Sequence, residues 1–171
     1  PEIIRLSRLI PLLDEHCSHT LVHTGQNSDP LLTDVFFSDL VLRAPDYYLD
    51  CGTASFVQLM ADTMMKCHEL FSRDRPDVVA ILGDTNSGIA AIVAERMGIP
   101  VYHMEAGNRS FDRNVPEELN RRLIDHVSTL GSATDRCPAN ALLRNQSTFV
   151  NPEIPKNWKQ GVKSLDNAKF N

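Results

Sequence analysis

The spacing of apolar residues along this chain changes several times, and each change marks an element. Ile3, Ile4, Leu6, Leu9, Ile10 and Leu13 recur at helical intervals, and Pro1 and Glu2 suit a helix first turn. Residues 19–24 (HTLVHT) read as a short strand that ends at Gly25-Gln26-Asn27. Over 30–42, Leu32, Val35, Phe36 and Leu40 fall on one face of an amphipathic helix, and 47–49 form a weaker strand. A longer stripe over 53–72 (Phe56, Leu59, Met60, Met64, Cys67, Leu70, Phe71) predicts a helix whose methionines pack in a core. Residues 77–82 (DVVAIL) are apolar without alternation, the mark of a strand covered on both faces in a parallel sheet. A helix over 85–97 closed by Gly98, a strand over 99–104 and a helix over 116–127 follow.

Strands alternating with helices predict an α/β fold, a doubly wound parallel sheet with right-handed crossovers. Beyond Ser128 no period is sustained: asparagines and lysines scatter, 139–143 could form a helical turn, and over 151–171 Trp158 is the one strong apolar anchor. The expected organisation is therefore one domain over 1–128 and a divergent, partly disordered tail over 129–171. Length and a hydrophobic content of 42% allow a real core in a single domain.

Charge sharpens this division. The chain carries a formal −5, which argues against a nucleic-acid partner held by phosphate attraction. Up to Ser128 there are 11 basic against 19 acidic residues, and from Thr129 onward 6 against 3, so an acidic body precedes a mildly basic tail. Cys17, Cys51, Cys67 and Cys137 show neither a C-x-x-C pair nor a metal-ligand spacing, and Cys67 falls on an apolar helical face, as a buried free thiol would. No apolar run approaches membrane-spanning length and no signal-peptide pattern opens the chain. A cytoplasmic protein without a membrane partner is expected.

In an open parallel sheet, ligands bind beyond the carboxyl ends of the strands. Three corners open there: 24–26, 83–87 and 105–109. They carry Asp84 and Glu105, and the helix at 116 opens on Glu117 and Glu118. Clustered carboxylates raise one another's pKa and so suit acid/base work near neutrality. Each has a plainer reading as well. Asp84 sits where a helix N-cap would, and Glu105 could pair with Arg109. Glu117 and Glu118 complement a helix dipole, and Arg121 and Arg122 stand four residues on from them. His103 reads as a core group or a support to the site, and His126 as a partner for helix-end carbonyls. Arg5 and Arg8 form a solvated face or an anion contact. The residues alone thus define an acidic crevice and leave its substrate open.

The segments PEIIRLSRLI, LVHTGQN, ILGDTNSGIAA and PVYHMEAGNRSFDRNVPEELNRRLIDH resemble the non-hydrolysing UDP-N-acetylglucosamine 2-epimerases from Pro1 to about Ser128. G-D-T, then H-x-E-A-G-x-R, then P-E-E-x-N-R, in that order, is a far more specific signal than a lone glycine motif. The resemblance implies the N-terminal, Rossmann-like half of a two-domain glycosyltransferase-B-type fold, with a UDP-sugar bound between the domains. The implied reaction removes the C2 proton, expels UDP to give a 2-acetamidoglucal, then reprotonates the other face and re-adds UDP.

By motif match Asp84, Glu105 and Glu117 correspond to the catalytic carboxylates. Arg5 falls near the nucleotide, Gln26 in a loop that holds a regulatory substrate molecule, and Asn108, Arg109, Asn120 and Arg121 where they would orient the carboxylates. The loop over 110–115 resembles that of members acting in capsule and O-antigen pathways, some on 6-deoxy UDP-sugars. Neither a cofactor nor a metal is implied, and the full-length family member is expected to be a homodimer.

The resemblance also implies an opening strand at the sheet centre, carrying G-T-R, ahead of Pro1, and a UDP-binding domain with a catalytic histidine after Ser128. Without that strand, 19–24 and 77–82 lose a shared neighbour. On this reading the chain is a fragment without epimerase activity of its own. Two other readings stay open: a non-catalytic nucleotide-sugar-binding module, and a non-functional product of a disrupted gene.

Overall fold

In the computed structural model, which describes residues 2–25, 30–51 and 55–132, the opening apolar stripe forms two helices, α1 (Glu2–Leu6) and α2 (Leu9–His16). Pro11 accounts for the break. It has no N–H, and its ring would crowd the carbonyl of Ser7 four residues earlier, so one helix cannot run through. In the first turn of α2, where amides lack intrahelical partners anyway, the proline is tolerated. Ile10 is the one residue of this pair that is fully buried among those described.

The next elements are β1 (Val22–His23), α3 (Pro30–Asp39), β2 (Tyr47–Tyr48) and α4 (Phe56–Asp74). Ser55 starts α4 by accepting a hydrogen bond from the Gln58 amide at 3.1 Å. The stripe of α4 is only partly core. Leu59, Thr63, Cys67, Leu70 and Phe71 are buried, whereas Phe56 and Met64 of the expected stripe are exposed, as is Val35 on α3. The stripe is wider than the surface that the described residues cover. Burial pushes the Cys67 thiol up to about 12, with the nearby Cys51 adding to the effect, so it is an inert core group.

Beyond α4 come β3 (Val79–Leu82), a 3-10 turn (Asn86–Ile89), α5 (Ala90–Arg96), β4 (Val101–Met104) and α6 (Pro116–Val127). The helix expected over 85–97 thus opens as a 3-10 turn. The expected bounds of α6 hold to the residue. One further strand, β5 (Leu130–Ser132), follows Ser128. It lies beside the 105–107 corner, where a side chain on Gly131 would come within 2.5 Å of the Ala106 methyl. Every described residue belongs to one compact unit over 1–137. The rest of the expected tail, with Cys137 and Trp158, lies outside the described residues.

Among the described residues all strands are parallel, but they form two sheets, β1-β2 and β3-β4-β5. The register runs from Val79 opposite Val101 to Leu82 opposite Met104, then from Tyr102 opposite Leu130 to Met104 opposite Ser132. The core lies where α4, α5 and α6 cover this sheet: Cys67, Leu70, Phe71, Ala91, Ala94, Val101 and Ile124. This is a Rossmann-like α/β arrangement.

A cavity of about 870 Å³ lies along β1 and β3, lined by Val22, Val79 and Ile81 with Ile10, Leu13 and Leu70. The amides of Val79 and Gly83 donate to Pro100 and Met104. By the alternation of a strand, Ala80 and Leu82 then turn their backbone groups away from β4. Ala80 is exposed in the middle of an apolar run. The two strands expected to share a neighbour therefore belong to separate sheets.

Candidate active site

Two tight corners at the carboxyl ends of β3 and β4 build the site. Gly83 takes φ +75° and donates its amide to the Met104 carbonyl at 3.1 Å, which ties one corner to the other. Glu105 takes φ +68°, a left-handed conformation that costs a β-substituted residue of order 1–3 kcal/mol. Its carboxylate reaches back over Gly83: a β-carbon on that glycine would stand 3.9 Å from Glu105 Oε2. Such strain at a carboxylate beside a second carboxylate corner has the character of a functional position.

The Glu105 side chain is 15% exposed and its Oε1 accepts a hydrogen bond from Arg5 Nη1 at 2.5 Å. Arg5 is itself exposed, yet from α1 it makes an anion contact, to the Glu105 carboxylate at the site. The pairing of Glu105 with Arg109 does not form. Arg109 Nη1 instead lies 2.6 Å from Asp125 Oδ2, behind the corner. The reason is reach: Arg109 follows a turn that carries its side chain towards Asp125 on α6, while the Glu105 carboxylate turns back over Gly83 towards Arg5.

Asp84 does not cap a helix. Its carboxylate pairs with Arg121 Nη2, and its carbonyl accepts from Asn120 Nδ2 at 3.1 Å. The same Asn120 amide donates to Asn86 Oδ1 at 2.9 Å. Asn120 is buried, Arg121 nearly so, and Arg121 Nε has no partner among the described residues. These two residues of α6 hold the 84–86 corner from the side.

Glu117 is exposed in the first turn of α6 and makes no hydrogen bond or ion pair among the described residues. Its expected i,i+4 partner, Arg121, is taken by Asp84. Because i and i+4 share a helix face, Glu117 stands one turn from the residue that grips Asp84. Glu118 keeps its expected partner: Arg122 Nε donates to Oε1 at 2.9 Å, and the Ser110 amide donates to Oε2 at 2.9 Å. Glu118 thus anchors the loop over 110–115. Asn108 offers its carbonyl to Arg109 Nη1 at 2.7 Å. At the third corner, Thr24 and Ser87 join through their hydroxyls at 2.6 Å. Gln26 lies outside the described residues.

Sequence reasoning passed over Asp125. It is buried on α6, and each of its oxygens is engaged: His103 Nδ1 at 2.7 Å, Arg109 at 2.6 Å and the Gly107 amide at 3.1 Å. Burial pushes its carboxyl up, but hydrogen bonds from His103 and Arg109 and their charges outweigh this and hold it below the ordinary carboxylate value. The signal was present. An aspartate in the last turn of a helix opposes the dipole there, which points to a specific partner. His126 behaves as expected, with Nδ1 against the Arg122 carbonyl at 2.7 Å.

The corners thus bring together two carboxylates, Asp84 and Glu105, each held by an arginine, with Glu117 free at the edge. Such an arrangement can take up or deliver protons at a neutral carbon and grip polar substrate groups. Among the described residues no cluster of His, Cys, Asp or Glu could hold a metal ion, and no helix is long and apolar enough to cross a membrane.

Comparison with known proteins follows the same lines. A family model described as UDP-N-acetylglucosamine 2-epimerase matches residues 13–149. The UDP-N-acetylglucosamine 2-epimerase of Methanocaldococcus jannaschii is 39% identical over 146 residues, covering 84% of this chain and 40% of that protein. A UDP-2,3-diacetamido-2,3-dideoxy-D-glucuronate 2-epimerase of Pseudomonas aeruginosa is 36% identical over 133 residues, 76% of this chain and 38% of that protein. Among solved structures, the M. jannaschii enzyme in complex with UDP-GlcNAc and UDP superposes with a TM-score of 0.78 at 37% identity, over 84% of this chain and 40% of that one. The Neisseria meningitidis enzyme bound to UDP-GlcNAc gives 0.77 at 28% identity, over 85% and 40%. The chain therefore spans about 40% of the length of these relatives.

Proposed function

This chain belongs to the UDP-N-acetylglucosamine 2-epimerase family, and we propose that it supplies the acid/base half of such an epimerase, acting on a UDP-sugar. The observation that carries the reading is the pair of arginine-held carboxylates, Asp84 and Glu105, on joined corners, with Glu105 in a strained backbone. Asp84, Glu105 and Glu117 move the C2 proton and stabilise positive charge at C1 while UDP leaves and returns. Arg5, Asn120 and Arg121 hold the carboxylates or polar groups of the substrate. Asn108 and Arg109 shape the 105–109 corner, and Gln26 contributes to binding from the 24–26 corner. UDP-GlcNAc is the substrate proposed, converted to UDP-ManNAc in the cytoplasm, without a metal or cofactor, by an enzyme that is a homodimer at full length. The domain carrying this chemistry is residues 1–128.

A chain spanning 40% of its relatives is proposed to lack turnover by itself. The test is therefore a graft, in which this chain replaces the matching region of the M. jannaschii enzyme. The product should convert UDP-GlcNAc to UDP-ManNAc in D2O with deuterium entering at C2. Asp84→Asn, Glu105→Gln or Glu117→Gln should each abolish that exchange. A folded graft that binds UDP yet never exchanges C2 hydrogen would sink the proposal. The share of the relatives' length that the chain covers gives the alternative, a nucleotide-sugar-binding module, its place. Calorimetric binding of UDP-GlcNAc by the isolated chain, unchanged by Asp84→Asn or Glu105→Gln, would favour it.

A further inference from the structure

Both nitrogens of the His103 ring face acceptors. Nδ1 lies 2.7 Å from Asp125 Oδ1, and Nε2 lies 2.7 Å from the carbonyl of Gly83. A backbone carbonyl only accepts, so Nε2 must carry hydrogen. Asp125 also takes hydrogen bonds from Arg109 and the Gly107 amide, which marks it as an ionised, accepting carboxylate. Nδ1 must then carry hydrogen as well. A neutral imidazole has one N–H and cannot satisfy both, so the ring is an imidazolium, entirely buried on β4.

Its partners are not distributed at random. The Gly83 carbonyl belongs to the peptide that leads into Asp84. Through Asp125, the same ring reaches the Gly107 amide, two residues beyond Glu105. Arg109, the next arm of the network, closes the same turn. The ring and the carboxylate therefore clamp one corner through its carbonyl and the other through its amide. The left-handed backbone of Glu105 lies between points that cannot relax separately: the Gly83–Met104 bond on one side and the Asp125–Gly107 bonds on the other.

We propose that His103 and Asp125 are positioning residues, a buried imidazolium–carboxylate pair that fixes the two backbone corners carrying Asp84 and Glu105. Neither residue touches substrate, since every polar atom of both side chains is engaged within the protein. The inference rests on the proposed acid/base roles of Asp84 and Glu105 for its functional meaning and on the hydrogen-bond geometry for its content.

The test uses the unaltered chain and two variants, all without substrate. In the unaltered chain, nitrogen-15 spectra at neutral pH should show both His103 ring nitrogens bonded to slowly exchanging protons. A ring with one bare nitrogen would overturn the assignment. In Asp125→Asn, the second ring proton should be lost, and the amide-to-Hα coupling of Glu105, which reads φ, should leave its left-handed value. Amide signals of Asp84 and Gly107 should move with it, while those around Cys67 and Leu70 stay in place. A purely structural role would lower the melting temperature and leave the Glu105 coupling unchanged, and that result in a folded variant overturns the proposal. Should Asp125→Asn not fold, the coupling is read in His103→Gln, which retains a donor for one acceptor only. Because no readout involves substrate, failure of the epimerase reading in the graft would leave these results intact, and failure here would leave that reading standing.

Discussion

The Asp84 carboxylate is held by Arg121, which stands four residues along α6 from Glu117, the partner that helical spacing would have given it. An exposed i,i+4 pair contributes about 0.2–0.5 kcal/mol, whereas a half-buried charged hydrogen bond contributes about 1.5–3 kcal/mol. The tertiary pairing wins, and it leaves Glu117 unencumbered at the edge of the site. Arg121→Met should therefore destabilise the fold by about 1–2 kcal/mol, since loss of the charged hydrogen bond is partly offset by removal of an unsatisfied buried Nε–H. Urea denaturation of the variant against the parent measures this. An unchanged midpoint would show that Asp84 is not held as described.

Glu105 should limit stability for the sake of its position. Asparagine adopts the left-handed region more readily than glutamate, and the ion pair to the largely exposed Arg5 contributes little. Glu105→Asn is expected to raise stability by about 0.5–1 kcal/mol through relief of strain, while abolishing C2 exchange in the grafted enzyme. Thermal denaturation decides the first part, and a lowered melting temperature would count against strain at this corner.

Acid should act on the fold through Asp125. Its folded pKa lies below the ordinary 3.8, so its contribution is present above that value and is lost as pH falls through the folded one. Above about 3.8 the ionised carboxylate should separate parent from Asp125→Asn in unfolding free energy. The difference should shrink as pH drops below about 3.8 and the parent's carboxylate is protonated. Urea titrations at a series of pH values test the sign: a gap that widens as pH falls below about 3.8 would contradict it.

The edge of β3 should be visible in hydrogen exchange. The Val79 amide donates to the Pro100 carbonyl on the β4 side, whereas Ala80 and Leu82 direct theirs towards the cavity. Amide exchange followed by NMR should alternate along the strand, fast at Ala80 and Leu82 and slow at Val79 and Ile81. Equal protection at all four would mean that this edge is covered.

Much of this architecture is written locally. Helical and strand periods, Pro116 at the start of α6, Gly98 after α5 and the glycines at 83 and 107 are short-range signals. They identify the elements and the two corners with Asp84 and Glu105 because backbone conformation responds to the nearest few residues. Even the break between α1 and α2 is local in cause, although the apolar stripe on either side of Pro11 concealed it. The motif order from Asp84 to Arg121 likewise pointed to the family before any side chain was placed.

Only the tertiary structure chose the partners. Arg109 goes to Asp125 and Glu105 to Arg5, across 16 and 100 residues of sequence, because the packing of α6 on β4 and the place of α1 set which charges lie within reach. Burial was decided the same way: Phe56 and Met64 share a stripe with Leu70, but among the described residues no neighbouring element covers them fully. Asp125 gained its role from a histidine on another element. Spacing along a chain fixes which way a residue faces on its own helix or strand, whereas pairing depends on distances through space, which exist only once those elements have packed.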